Sequence, residues 1–97
     1  MGTLKVAVVQ LGYGDDETPW ARTDRVVSLV REVATEEPDL DLIVLPELWH
    51  PTGFDYSRWE DAAQPLDGPL VATLGAAAAE VGVTLHGGSF IERLPDP

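Results

Sequence analysis

The stretch Asp41-Leu42-Ile43-Val44-Leu45-Pro46-Glu47 decides how this chain is read. Four apolar residues in a row, two of them β-branched, describe a strand buried on both faces. Pro46 has no N–H to extend a central ladder, so it marks the strand's end. Glu47 then stands at the C-terminal mouth of the strand, the edge at which open α/β sheets bind ligands. A carboxylate delivered there by a rigid strand is a candidate general base. The stretch by itself fits equally well a solvated glutamate that opens a surface loop.

Upstream, Leu4-Lys5-Val6-Ala7-Val8-Val9-Gln10 reads as a short β-branched strand closed by Gly12. The Gly12-x-Gly14 that follows invites a dinucleotide-binding reading, but the third glycine of that fingerprint would fall on Glu17. Thr18-Pro19 has the form of an N-cap with proline at the first helical position. Val26, Val27, Val30, Val33 and Ala34 then recur at helical spacing, with Arg25, Arg31, Glu32 and Glu36 on the other face. Glu37 before Pro38 avoids helical angles and stops the helix.

Downstream of Glu47 runs an aromatic-rich loop, from Leu48 to Trp59. Trp59 reads as a cover for the end of the core. Trp49 and Phe54 fit either that role or the wall of a small-ligand pocket. His50 has no partner pattern for a metal site. Asp67-Gly68-Pro69 opens a second helix with Leu70, Leu74, Ala77, Ala78 and Val81 along one stripe, and Gly82 closes it as a left-handed cap. Residues 83–91 form a third strand whose internal Gly87-Gly88 suggests a bulge or a close backbone approach. Gly87-Gly88-Ser89 lacks the Lys-Ser/Thr of a phosphate-binding P-loop.

The order strand–helix–strand–helix–strand predicts an α/β fold with parallel pairing and right-handed crossovers. Strands near residues 4–10, 41–46 and 83–91 are expected to place the first in the middle, or adjacent to both others. Right-handed crossovers put both helices on one side of the sheet, so the opposite face needs cover from further chain or from a partner.

Composition narrows the function classes. The chain has 97 residues, 44% of them hydrophobic and 24% charged, which is ordinary for one small globular domain. Its 17 acidic and 6 basic residues give a formal net charge of −11, a surface that repels nucleic-acid backbones and anionic membranes. No apolar run approaches a membrane span and no signal peptide is apparent, so a cytoplasmic location is expected. There is no cysteine, which removes thiolate metal sites and a cysteine nucleophile from these residues.

Taken together, Lys5-Val6-Ala7-Val8-Val9-Gln10, the Asp41–Glu47 strand with Leu48-Trp49 and Gly53, Leu66-Asp67-Gly68-Pro69, and Gly87-Gly88-Ser89-Phe90-Ile91-Glu92 resemble the nitrilase superfamily of carbon–nitrogen hydrolases. The resemblance spans the whole chain and is closest to aliphatic amidase and omega-amidase-like members. It implies an αββα sandwich, of which residues 1–97 would be the N-terminal portion. It also implies a Glu–Lys–Cys set acting on a small amide or nitrile, with no cofactor and no metal. Glu47 matches the family's catalytic glutamate, and Trp49 and Phe54 fall where the loop would bind substrate. The lysine and cysteine have no counterpart here: Lys5 is the only lysine and lies in the wrong strand. The other two are expected beyond Pro97, so these residues alone should not turn over. Family members usually self-associate, which implies a homo-oligomer at full length. The alternative is a non-catalytic binding or assembly module of the same fold.

Overall fold

The computed structural model describes residues 2–14 and 16–96. Three short strands, β1 (Val6–Val8), β2 (Leu42–Val44) and β3 (Thr84–His86), form a parallel sheet. The long helix α1 (Pro19–Glu36) connects β1 to β2. A 3-10 turn (Tyr56–Arg58), the short α2 (Trp59–Ala62) and α3 (Pro69–Val81) lie between β2 and β3.

The strand order is β1-β2-β3, which corrects the expectation that β1 holds the centre. The physical reason lies in side-chain content. The central position exposes neither edge, and it falls to the strand whose residues are apolar on both faces. On the helix-covered face Ile43 and Leu45 are buried, whereas Ala7 and Val9 of β1 are only partly buried at the edge. Val6, Ala7 and Val8 pair with Leu42, Ile43 and Val44, which pair in turn with Thr84, Leu85 and His86.

Helix α1 begins as its sequence predicts. Thr18 is extended, its hydroxyl accepts the Ala21 N–H at 3.1 Å, and Pro19 fills the first turn. Glu37 caps the other end through its N–H to the Val33 carbonyl. α3 starts at Pro69 after Gly68 and ends at Gly82, whose φ of 68° is the left-handed cap. The two helices cover one face of the sheet. Val26 and Val30 from α1 meet Ile43, Leu45 and Trp49, with Leu70, Leu74 and Ala77 from α3. Full burial of a side chain the size of Val or Leu stabilises by roughly 1.5–3 kcal/mol, so this interior holds the helices on the sheet.

The opposite face has no cover among the described residues. Val6 is 41% and Val8 73% exposed there, beside the half-buried Leu42 and Val44. This is the face that stacks on a second sheet in an αββα sandwich.

β3 is shorter than the strand expected over residues 83–91. Leu45 still donates to the His86 carbonyl, but Gly88 takes a φ of 74° and turns the chain away. Pairing resumes only at an isolated bridge between Gln64 and Glu92. The close backbone approach expected at these glycines is present: a Cβ on Gly88 would collide with the Pro46 carbonyl.

Candidate active site

Glu47 follows β2 at the C-terminal end of the sheet. It is exposed, and its carboxylate makes no hydrogen bond or ion pair with the described residues. The chain then bends through an elbow, residues 48–53, held in unusual backbone. Leu48 has φ 51° and Thr52 φ 65°, both left-handed, followed by Gly53 at 60°. Non-glycine residues in that region cost on the order of 1–3 kcal/mol each and persist where their surroundings over-determine them.

Those surroundings come from two sides. The Leu48 N–H donates to Ser89 Oγ at 3.0 Å, and the Trp49 indole donates to the Gly87 carbonyl at 2.9 Å. From α1, the fully buried Arg22 donates through Nη1 to the carbonyls of Trp49 at 2.8 Å and His50 at 3.2 Å, and to Thr52 Oγ1 at 3.3 Å. Within the elbow, the Gly53 N–H closes onto the Leu48 carbonyl at 2.9 Å.

A buried guanidinium needs a counter-charge. Glu17 supplies it, accepting from Arg22 Nε at 3.0 Å while gripping Arg25 with both carboxylate oxygens. The bond from Arg25, helped by the one from Arg22, holds the Glu17 carboxyl down at about 2, against the opposing pull of burial. The Tyr13 ring stacks on the Arg22 guanidinium at 4.0 Å. The carbonyls of Gly12 and Gly14 also accept from these arginines. The glycine loop therefore presents acceptors, the opposite of an anion cradle, and the dinucleotide reading falls away.

The structure sorts the other loop residues. Trp49 is 1% exposed and belongs to the core, directly behind the elbow. Phe54 is 66% exposed, beyond the elbow. Trp59 is half-buried, with its indole bonded to the Gly53 carbonyl at 2.9 Å and its ring edge-on to Tyr56. His50 is fully buried between the Trp20 and Trp49 rings, and neither ring nitrogen has a partner among the described residues. Burial, and then the positive charge of Arg22, push its pKa down to about 4. A cavity of about 310 Å³ is lined by Trp20, His50, Arg58, Asp61 and Gln64, among others. A second of similar size, about 310 Å³, opens beside Gly87, Gly88 and Phe90. Glu47 lines neither. No group of three or more His, Cys, Asp or Glu is placed to hold a metal among the described residues. Nor is any described helix long and apolar enough to cross a membrane.

Lys5 lies at the other end of the sheet. Its N–H donates to Asp41 Oδ2 at 2.8 Å, and its ammonium donates to the Pro38 carbonyl at 2.8 Å. It is a splint between β1 and the turn into β2, remote from Glu47.

Comparison with known proteins turns the resemblance into membership. A family model described as carbon-nitrogen hydrolase matches residues 5–96. The chain belongs to the carbon–nitrogen hydrolase family. It is 36% identical over 94 residues to the 2-oxoglutaramate amidase of Paenarthrobacter nicotinovorans, covering 97% of this chain and 31% of that protein. It is 35% identical over 78 residues to the formamidase of Pseudomonas syringae pv. tomato, covering 77% of this chain and 23% of that protein. The chain thus spans about a third or less of the length of these curated relatives. No solved structure matches it.

Two residues that hold the elbow escaped sequence reasoning, Arg22 and Glu17. A signal for Arg22 was present: it falls on the 22-26-30 line of α1, a charge inside an otherwise apolar stripe. Such a charge is buried only when paired. Nothing local announces that Glu17, three residues after a glycine loop, is the partner.

Proposed function

We propose that residues 1–97 form the glutamate-bearing N-terminal portion of an enzyme that hydrolyses the C–N bond of a small amide, with Glu47 as its general acid/base. The observation that carries this reading is the placement of Glu47: an unpartnered carboxylate at the C-terminal end of the central strand, followed by an elbow held from two sides. Membership of the hydrolase family and two amidase relatives support it.

In this reading a cysteine thiol supplied outside these residues gives its proton to Glu47 and attacks the amide carbon. A lysine, also supplied elsewhere, stabilises the oxyanion of the tetrahedral intermediate. Glu47 returns the proton to the leaving nitrogen, ammonia departs, and a thioester remains. Glu47 then takes a proton from water as it attacks the thioester, which frees the acid and regenerates the thiol. Phe54 offers an exposed apolar surface to the substrate, and Trp49, buried in the core, steadies the elbow through its indole bond to the Gly87 carbonyl. The full-length enzyme self-associates in this reading, and the 97 residues alone are inert.

The test is turnover of the full-length protein on 2-oxoglutaramate, formamide and short aliphatic amides, with Glu47→Gln alongside. Ammonia release by the native protein, reduced roughly 10²–10⁴-fold in the folded variant, is the expected result. A folded Glu47→Gln protein with native turnover removes Glu47 from the chemistry. A full-length protein that turns over none of these compounds, yet binds one tightly, favours the non-catalytic module.

A further inference from the structure

We propose that Arg22 and Ser89 are positioning residues for Glu47, acting together through the elbow that follows it. The inference rests on the reading of Glu47 as acid/base and adds the means by which its carboxylate is aimed.

The two side chains bracket the elbow. Ser89 Oγ accepts the Leu48 N–H, which belongs to the same peptide unit as the Glu47 carbonyl, so it fixes the plane in which Glu47 leaves the strand. Arg22 accounts for the next part of the chain, binding the carbonyls of Trp49 and His50 and the hydroxyl of Thr52. On the strand side, Pro46 restricts the approach, and Gly88 packs against its carbonyl with no room for a side chain. Both peptide units flanking Glu47 therefore meet the segment after β3, at Gly88 and Ser89, while α1 holds the elbow two to five residues farther on through Arg22.

The elbow does not rest in this shape by local preference. Leu48 and Thr52 are left-handed without being glycine, Asn or Asp, so the conformation exists because outside groups impose it. Arg22 is suited to the task. It is fully buried and is aligned in turn by Glu17 and by the Tyr13 ring, so the fork has one orientation to offer. Lysine could keep the charge but not the fork. A carboxylate that moves protons must be held to within about 0.5 Å of its working place, and a misplacement of about 1 Å can lower the rate about 10²-fold.

The experiment measures kcat, KM and the folded fraction of the full-length enzyme, on whichever amide it turns over, for Ser89→Ala, Thr52→Val, Arg22→Lys and Arg22→Gln. Ser89→Ala and Thr52→Val each remove one acceptor and leave the core volume nearly intact. They are expected to lower kcat about tenfold per folded molecule, with KM changed less than about twofold. Arg22→Lys should fall by about 10–100-fold and retain more activity than Arg22→Gln. If either Arg22 variant fails to fold, Ser89→Ala and Thr52→Val decide. Native kcat per folded molecule in those two overturns the proposal, as does a loss confined to KM. Glu47→Gln separates the two readings. If it is inactive while the elbow variants are normal, only the positioning role is lost. If it is normal, the acid/base reading itself fails, and the positioning role with it.

Discussion

The two ends of this small sheet are built on different terms. At the N-terminal end, the turn into β2 places its left-handed residue at Asp39, a residue type that tolerates φ of 70°. The contacts there, Lys5 with Asp41, Pro38 and Glu37, are all exposed. At the C-terminal end, the non-glycine left-handed positions are Leu48 and Thr52, which tolerate such angles poorly; Ser89 holds the first and a fully buried arginine the second. One end is a connection made from residues that suit it. The other carries strain and a buried charge, which a chain retains when a particular geometry has a use. The difference supports, without reference to any relative, the proposed reading of the Glu47 end as the working edge.

The largest expected effect tests that contrast directly. On the proposed acid/base reading, Glu47→Gln in the full-length protein should lower kcat roughly 10²–10⁴-fold with unfolding unchanged. Asp41→Asn, the matching change at the other end, should leave turnover within about twofold, because an exposed side-chain contact is worth little. Steady-state kinetics on both variants make the comparison, and equal losses would erase the distinction between the ends.

Next in size is a pH effect confined to the elbow. Unfolded, His50 takes up a proton near its ordinary value of 6.5; folded, it does so only near 4. Between those values the unfolded state holds more protons, so stability is fully present above about 6.5 and is lost as the pH falls toward about 4. The loss should be on the order of 2–3 kcal/mol. His50→Leu should flatten this slope in denaturant titrations run from pH 7 to pH 4. Glu17 acts lower down: its contribution is present above about 4.5 and is lost as the pH falls through about 2. A slope that survives His50→Leu would assign the window to another group.

A smaller effect separates two glycines with nearly the same backbone. Gly82 and Gly88 have φ of 68° and 74°, but a side chain on Gly82 meets open space and one on Gly88 meets the Pro46 carbonyl. Gly82→Ala should cost about 1 kcal/mol, the ordinary left-handed penalty. Gly88→Ala should exceed it, with a total of roughly 2–3 kcal/mol. Thermal melts of the pair measure the steric part alone, and equal shifts would mean that the elbow yields to the intruding methyl.

The smallest is Lys5→Met. Lys5 and Glu37 approach to 3.3 Å, but both are about half exposed, so the stability change should be under about 1 kcal/mol. A larger change in chemical denaturation would show the N-terminal end to be tighter than its exposure implies.

Much of the fold was legible because it rests on local rules. Thr18-Pro19 and Gly82 bound their helices by capping chemistry that operates within one turn. The Leu42–Leu45 run identifies a strand apolar on both faces from its own composition, although among the described residues only the Ile43 and Leu45 face is buried. The third strand is shorter than residues 83–91 suggest, because Gly88 takes a left-handed φ of 74° beside the Pro46 carbonyl, a conformation that only the packing reveals. The 3-10 turn falls inside the loop expected over residues 48–59 and α2 carries no sequence assignment, since residues 56–62 are too few for a periodic pattern to declare itself.

At the site, the chain's own pattern determined that a carboxylate would leave a buried strand at the C-terminal edge. A strand and the proline ending it are properties of neighbouring residues, and seven consecutive letters suffice to read them. Which strand lies in the centre, that Trp49 faces the core, and that Arg22 and Ser89 hold the elbow after Glu47 were decided only in three dimensions. Those contacts join residues 27 to 41 positions apart. A hydrogen bond between such residues depends on how helix, sheet and loop pack together, and no local propensity encodes that packing.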